Sequence, residues 1–204
     1  MKPEHWEHIY VSRSPDDVSW YERVPITSLK FVVEALEDGA ESVIDVGGGA
    51  SRLVDHLLDL GLKRVSVLDI SGSGLAISKR RLGGRAEQVD WIVGDVTKIA
   101  DLGRFDVWHD RAVFHFLTGE EDRRRYVRLA ERTLGPGGTA IMATFASDGP
   151  ERCSGLDVRR YEVAELVEQC GRGFELVASE RQQHVTPAGV AQSFLYATFH
   201  RVGV

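Results

Sequence analysis

Val43-Ile44-Asp45-Val46-Gly47-Gly48-Gly49-Ala50-Ser51-Arg52 is the stretch on which the fold of this chain turns. An apolar run ends in a carboxylate and three successive glycines, and a helical pattern follows. Glycine has no Cβ, so the backbone turns sharply there and a ligand can come close. A glycine-rich turn that leaves a first β-strand and opens a helix is where doubly wound α/β folds hold nucleotides.

On both sides of this stretch the chain alternates between two periodicities. Before it, residues 1–40 read as a helical cap, with Trp6, Ile9 and Tyr10 at helical spacing and Leu29, Val32, Val33 and Leu36 repeating the pattern. After it, strands are predicted over 42–46, 64–69, 89–93, 105–108 and 139–145, and helices over 51–60, 74–81, 121–134 and 163–170. Gly61 and the run Gly135-Pro136-Gly137-Gly138 sit in helix-stop positions. Residues 174–185 and 193–201 form two further strand candidates, joined by Thr186-Pro187-Ala188-Gly189. Alternation of this kind implies a mainly parallel sheet with helices on both faces, and the closing hairpin adds an antiparallel strand. The domain expected is 41–204, with 1–40 as its cap or lid.

Each early strand ends in a polar group at one edge of that sheet. Strand one ends at Asp45 and the glycines, strand two at Asp69, strand three at Gly94-Asp95 and strand four at Trp108-His109-Asp110. Parallel α/β sheets bind ligands beyond the carboxyl ends of their strands. Asp69 lies 24 residues beyond Asp45. A carboxylate there offers two acceptor oxygens to the two hydroxyls of a ribose. Ile70 supplies an apolar face for an adenine, and Asp95 an acceptor for its exocyclic amine. A dinucleotide site would carry Gly-x-Gly-x-x-Gly, but the third glycine position is Arg52. The ligand therefore carries adenosine without needing a pyrophosphate cradle, a description that S-adenosylmethionine fits.

With these motifs in order, the chain resembles the class I S-adenosylmethionine-dependent methyltransferases. The resemblance rests on Val43–Gly49, Asp69, Gly94-Asp95, Phe105-Asp106-Val107 and Leu134-Gly135-Pro136-Gly137-Gly138. It implies a Rossmann-like seven-stranded sheet whose last strand is antiparallel. It further implies a donor site made by Asp45, Gly47, Gly48, Gly49, Ser51, Asp69, Ile70, Asp95, Val96 and Asp110, with Tyr10 and Trp20 folding over it. Ser51 is equally placed to cap the helix that follows. A narrower similarity, to lysine methyltransferases acting on citrate synthase and elongation factor, rests on Trp6–Tyr10, Ser19-Trp20-Tyr21 and Gly47–Leu53. There the family's Asp-Lys-Gly-Thr-Leu-Asp is replaced by Asp110-Arg111-Ala112-Val113-Phe114-His115. Tellurite-resistance and other small-molecule methyltransferases share the scaffold.

The donor's sulfonium is already an activated leaving group, so alignment and exclusion of water supply most of the help. No metal is called for. His115 is the candidate base, with a packed core histidine as the alternative, and Asp110 stands beside the transferred methyl by the resemblance. The cap is read either as a lid over the donor or as an apolar staple.

Composition narrows the remaining classes. The net charge of −6 over 204 residues argues against broad nucleic-acid binding. Arg123-Arg124-Arg125 reads as a solvated helix face. Cys153 and Cys170 have no metal or disulfide spacing, which suits a cytoplasmic setting. No apolar run reaches membrane-span length and no signal-peptide core is visible near Met1. Expected partners are a small-molecule or protein acceptor, and the expected state is monomer or homodimer. A non-catalytic module that binds S-adenosylmethionine or S-adenosylhomocysteine, and an NAD-dependent oxidoreductase, are the competing functions.

Overall fold

The computed structural model describes residues 2–203. Its sheet grows from β1 (Ser42–Val46), flanked by β2 (Arg64–Asp69) on one side and β4 (Phe105–Arg111) on the other, both parallel to it. β3 (Val89–Val93) extends the sheet beyond β2, and β5 (Leu134–Phe145) beyond β4. Two long strands, β8 (Phe174–Val185) and β9 (Ala191–Arg201), close it. The strand order is β3-β2-β1-β4-β5-β9-β8, with β9 antiparallel to both neighbours. A separate two-residue hairpin, β6 (Arg152–Cys153) with β7 (Leu156–Asp157), lies in the stretch after β5.

Both faces of β1 are buried, so its residues are apolar on each side of the pleat except where Asp45 intervenes. On one face Val43, Val65, Val107 and Ile141 pack with Phe31 and Val32 of α2 (Ile26–Glu37). Leu53 and Leu57 of α3 (Leu53–Leu57) and Leu75 and Leu82 of α4 (Gly72–Leu82) belong to the same core. On the other face Ile44, Trp108, Ala140 and Phe199 pack with Tyr126 and Leu129 of α5 (Glu120–Thr133) and Leu166 of α6 (Val163–Cys170). The first helix, α1 (Pro3–Ser12), lies against α4 and buries Trp6, Ile9 and Tyr10.

Several expected boundaries move, each for a local reason. The helix expected from Ser51 starts at Leu53, because Ser51 Oγ accepts the Leu53 amide at 3.1 Å and so holds the entry turn. β4 continues to Arg111 instead of ending at Trp108, carrying His109 and Asp110 into the ladder beside Val46 and Met142. β5 begins at Leu134, so the Gly-Pro-Gly-Gly run opens the strand as well as ending the helix. Phe114–Phe116 form a single 3-10 turn, and His115 sits there rather than deep in a helix. Of the arginine run, Arg124 and Arg125 pair with Glu120 and Glu121 at the surface. Arg123 is buried instead, and donates to the carbonyls of Leu117 and Thr118 and to Gln169.

One buried chain of hydrogen bonds joins α5 to the sheet. Trp108 Nε1 donates to the Tyr126 hydroxyl at 2.8 Å, and that hydroxyl donates to Asp110 Oδ2 at 2.6 Å. Tyr126→Phe leaves an indole N–H unpaired in the core and removes one of the two donors to Asp110 Oδ2. It is expected to cost about 2–4 kcal/mol, read as a fall in urea midpoint at unchanged m value.

Candidate functional site

The early strands end at one rim, and a cavity opens there. Val46 and Gly47 enter it from β1, Asp69 and Ile70 from β2, Gly94 and Val96 from the turn after β3, and Arg111, Ala112 and Val113 from β4. A second, smaller cavity adjoins it, sharing Gly47, Trp20 and Arg111, and is walled by Asp45, Gly48, Ser51, His109 and Ser28.

The glycine turn lies between the two. Gly47 has φ +75°, and a Cβ there would stand 2.0 Å from Val113 Cγ2. Gly49 has φ +41°, and a Cβ there would stand 2.2 Å from the Tyr10 hydroxyl and 3.0 Å from Asp69 Oδ2. Both positions thus need glycine for conformation and for space.

Asp45 and His109 are register partners across β1 and β4, so their side chains leave the same face of the sheet. His109 Nδ1 donates to Asp45 Oδ1 at 2.7 Å, and His109 Nε2 lies 2.9 Å from Ser28 Oγ. Ser28 Oγ in turn lies 3.3 Å from the Tyr196 hydroxyl. Arg111 donates through Nε to that hydroxyl at 3.1 Å and through Nη1 to the Trp20 carbonyl at 2.9 Å. Glu22 faces Arg111 at 3.2 Å and His184 at 3.6 Å. Burial pulls the Glu22 carboxyl upward, but His184 and Arg111 hold it below the usual range. Through these contacts residues 19–28 are tied to three strands. Asp45 Oδ2, also buried, has no partner among the described residues.

Asp69 is 6% exposed and accepts the Ser71 amide at 2.7 Å. Burial, with the charges of Asp45 and Glu7, pushes its carboxyl up to about 7 against the pull of the Ser71 and Gly49 amides. Ile70 and Val96 stand with it on the cavity wall. Asp95 turns away: its Oδ1 accepts from the Thr97 amide and hydroxyl at 2.9 and 2.7 Å, while its neighbours Gly94 and Val96 line the cavity. Tyr10 and Trp20 close the cavity from the N-terminal side, joined by Trp6. The cap is at once a wall of the cavity and an apolar staple, since Trp6, Ile9 and Tyr10 are buried.

The two expected catalytic side chains are not brought to the cavity walls. Asp110 follows His109 in the strand, so it faces the opposite side of the sheet. It accepts from the Val113 and Phe114 amides and from Tyr126, and burial raises its carboxyl to about 6. His115 is fully buried, edge-on to Phe116 and tilted against Phe145, and its Nδ1 accepts the Phe145 amide at 3.3 Å. Burial, with Arg111 nearby, lowers His115 to about 3, which makes it a poor proton acceptor at neutral pH. The packed-histidine alternative describes this side chain.

At the far end of the cavity Phe116, Phe145, Phe194, Cys153 and Gln192 meet Trp6 and Trp20, and of these Phe116, Phe145, Phe194 and Gln192 were not among the expected site residues. These residues come from β5, β6, β9 and the turn after β4, with no spacing that links them. Only Arg111 and His109 carried a usable signal, as alternate residues of a strand longer than expected. Ala112, with φ +71°, breaks that strand and turns Arg111, Ala112 and Val113 all onto the cavity. Among the described residues no group of His, Cys, Asp or Glu is placed to hold a metal ion. No helix among them is long and apolar enough to cross a membrane.

Residues 44–142 match the family described as a methyltransferase domain. The eEF1A lysine and N-terminal methyltransferase of Danio rerio is 28% identical over 149 residues, 71% of this chain and 21% of that protein. The chain thus spans about a fifth of that relative's length. A structure from work on conversion of a disulfide bond into a thioacetal group during echinomycin biosynthesis has a TM-score of 0.76 at 18% identity, covering 98% of this chain and 93% of that one. The Burkholderia thailandensis 1,6-didemethyltoxoflavin-N1-methyltransferase, bound to 1,6-didemethyltoxoflavin and S-adenosylhomocysteine, has a TM-score of 0.69 at 24% identity, covering 88% and 78%. N-methyltransferase NodS from Bradyrhizobium japonicum WM9, in complex with S-adenosylhomocysteine, has a TM-score of 0.67 at 15% identity, covering 88% and 89%. These structural likenesses are of fold.

The depressed His115 has a measurable consequence. Its value in the fold, about 3, lies below the ordinary 6.5, so the unfolded chain takes up a proton that the native state refuses. Stability is therefore lost as pH falls through 6.5 toward 3. In His115→Leu the slope of unfolding free energy against pH between 5.5 and 4 should shrink by up to about 1.4 kcal/mol per pH unit, measured by urea denaturation. An unchanged slope would contradict the buried neutral imidazole.

Proposed function

We propose, on the premise that this chain belongs to the S-adenosylmethionine-dependent methyltransferases, that Asp69 and the Gly47–Gly49 turn hold the donor and that the acceptor enters beside Phe116, Phe145 and Phe194. When bound, the donor supplies a methyl group on a sulfonium, transferred by in-line displacement to the acceptor. The residues suit such a molecule. Asp69 presents a buried carboxylate for two ribose hydroxyls, between the apolar faces of Ile70 and Val96. The glycine turn has room for no Cβ, and the unpartnered Asp45 Oδ2 beside it is an acceptor for the donor's amino group.

The observation that carries this reading is the pairing of Asp69 on one cavity with Asp45 Oδ2 on the other, on either side of the glycine turn. His109 orients Asp45 and is itself held by Ser28. Ser51 holds the entry turn of α3, and Asp110 contributes by shaping the turn that presents Arg111–Val113. Asp95 supports the site through the Gly94–Val96 backbone. Tyr10 and Trp20, with the rest of the 1–40 cap, exclude water from the reacting centre, which is where alignment is most effective. Two free cysteines suit a cytoplasmic, reducing setting. The acceptor class is a small molecule or a protein side chain, the latter as in the Danio rerio relative.

Calorimetric titration is the direct test: S-adenosylhomocysteine should saturate the protein and NAD should not. A second test uses proton linkage. The ribose hydroxyls require ionised Asp69, whose value in the fold is about 7 against an ordinary 3.8. Affinity for S-adenosylhomocysteine should therefore rise with pH up to about 7.5 and fall by up to about tenfold per pH unit below 6.5. In Asp69→Asn the affinity should drop and this pH dependence should vanish. Saturable NAD binding with no uptake of S-adenosylhomocysteine would overturn the assignment.

A further inference from the structure

The acceptor end of the larger cavity carries two buried polar atoms that nothing in the fold satisfies. Gln192 is 8% exposed, lines the cavity from the start of β9, and its Oε1 has no partner among the described residues. Arg111 lines the same cavity with its Nη2 buried and unpartnered, while Nε and Nη1 are held by Tyr196 and Trp20. A buried polar atom left unpaired costs free energy, so such a pair points to a ligand that completes it. One atom accepts a hydrogen bond and the other donates.

The remaining walls are rings. Trp6 stands edge-on to Phe116 at 5.0 Å and to Trp20 at 5.8 Å, and Phe145 stands edge-on to Phe194 at 4.8 Å. The Arg111 guanidinium lies over the Phe194 ring at 4.6 Å, which fixes its plane. The Cys153 thiol, raised by burial to about 11, stays neutral and adds to the apolar lining. Aromatic walls with a few directed polar groups select flat, ring-containing ligands. A lysine ammonium would instead meet the Arg111 cation, whose paired carboxylate, Glu22, is also engaged by His184.

We infer that the acceptor is a small planar heteroaromatic molecule bearing a carbonyl next to a ring N–H, with the carbonyl received by Arg111 Nη2 and the N–H by Gln192. This rests on the methyl-transfer reading above, since it places the acceptor against an occupied donor site. It separates this chain's acceptor from a protein lysine.

The probes are three fused-ring lactams (2-quinolone, isoquinolin-1-one and quinazolin-4-one), with 2-methoxyquinoline as a flat control lacking N–H and n-butylamine standing for a lysine chain. Each is titrated calorimetrically into the full chain saturated with S-adenosylhomocysteine. At least one lactam should bind saturably and at least about tenfold more tightly than 2-methoxyquinoline, and n-butylamine should not bind. Gln192→Met, which keeps length and removes the amide, should weaken the lactam at least about tenfold while S-adenosylhomocysteine affinity stays within twofold. The inference is overturned if no lactam binds, if the methoxy control binds equally, if Gln192→Met binds the lactam unchanged, or if n-butylamine binds preferentially. In each of those cases intact S-adenosylhomocysteine binding leaves the methyltransferase reading standing. Loss of that binding in the unaltered protein overturns both.

Discussion

The contact between Asp45 and His109, 2.7 Å across two adjacent strands, is the constraint on which the site depends. A carboxylate buried in the centre of a parallel sheet is expensive unless it is paired. His109 supplies one partner at the register position directly beside it, and the ring's other nitrogen reaches Ser28 on α2. One carboxylate oxygen is satisfied by the fold and the second is left beside the glycine turn. Ser28, Tyr196, Arg111, Glu22 and His184 continue the same buried chain outward. The cap is thereby positioned by polar contacts as well as by the packing of Trp6 and Tyr10. Removal of a member takes one partner from each of its neighbours, so these polar contacts add to apolar packing in holding the cap in place.

Strand alternation sorts the chemistry of β4. His109 and Arg111 leave the face that carries Asp45, and serve the two cavities. Trp108 and Asp110 leave the opposite face and are absorbed into the packing of α5. The carboxylate of Asp110 is thus taken up by the Val113 and Phe114 amides and Tyr126, and the arginine after it lines the larger cavity. The same alternation on β9 brings Gln192, Phe194 and Tyr196 to one face, where Arg111 touches both Phe194 and Tyr196.

The rim that carries Asp69 and the glycine turn was legible in the sequence because its elements are local. Asp45 with three glycines, Asp69 with Ile70, and Gly94 to Val96 each sit in a few consecutive residues whose periodicity fixes the strand end. The parallel sheet and the closing hairpin followed from the same alternation. The far end of the cavity was not legible, since Phe116, Phe145 and Gln192 meet Trp6 only through tertiary folding, and each of the three resembles an ordinary core or loop residue. His115 misled for the complementary reason: a histidine among phenylalanines near a strand end fits either a base or a packed ring, and only its burial decides. Arg123 shows the same limit, as one arginine of three is drawn inward to cap carbonyls that the sequence does not mark.

The link between Ser28 and Tyr196 joins residues 168 positions apart. During synthesis, the early helices and β1 leave the ribosome long before β9 exists. Contacts of such wide separation form late and slowly, after the loop-closure entropy has been met. The polar anchoring of residues 19–28 on Tyr196 is therefore completed only when β9 inserts between β5 and β8. Before that insertion Ser28 has only the His109 ring as its partner in this chain of contacts.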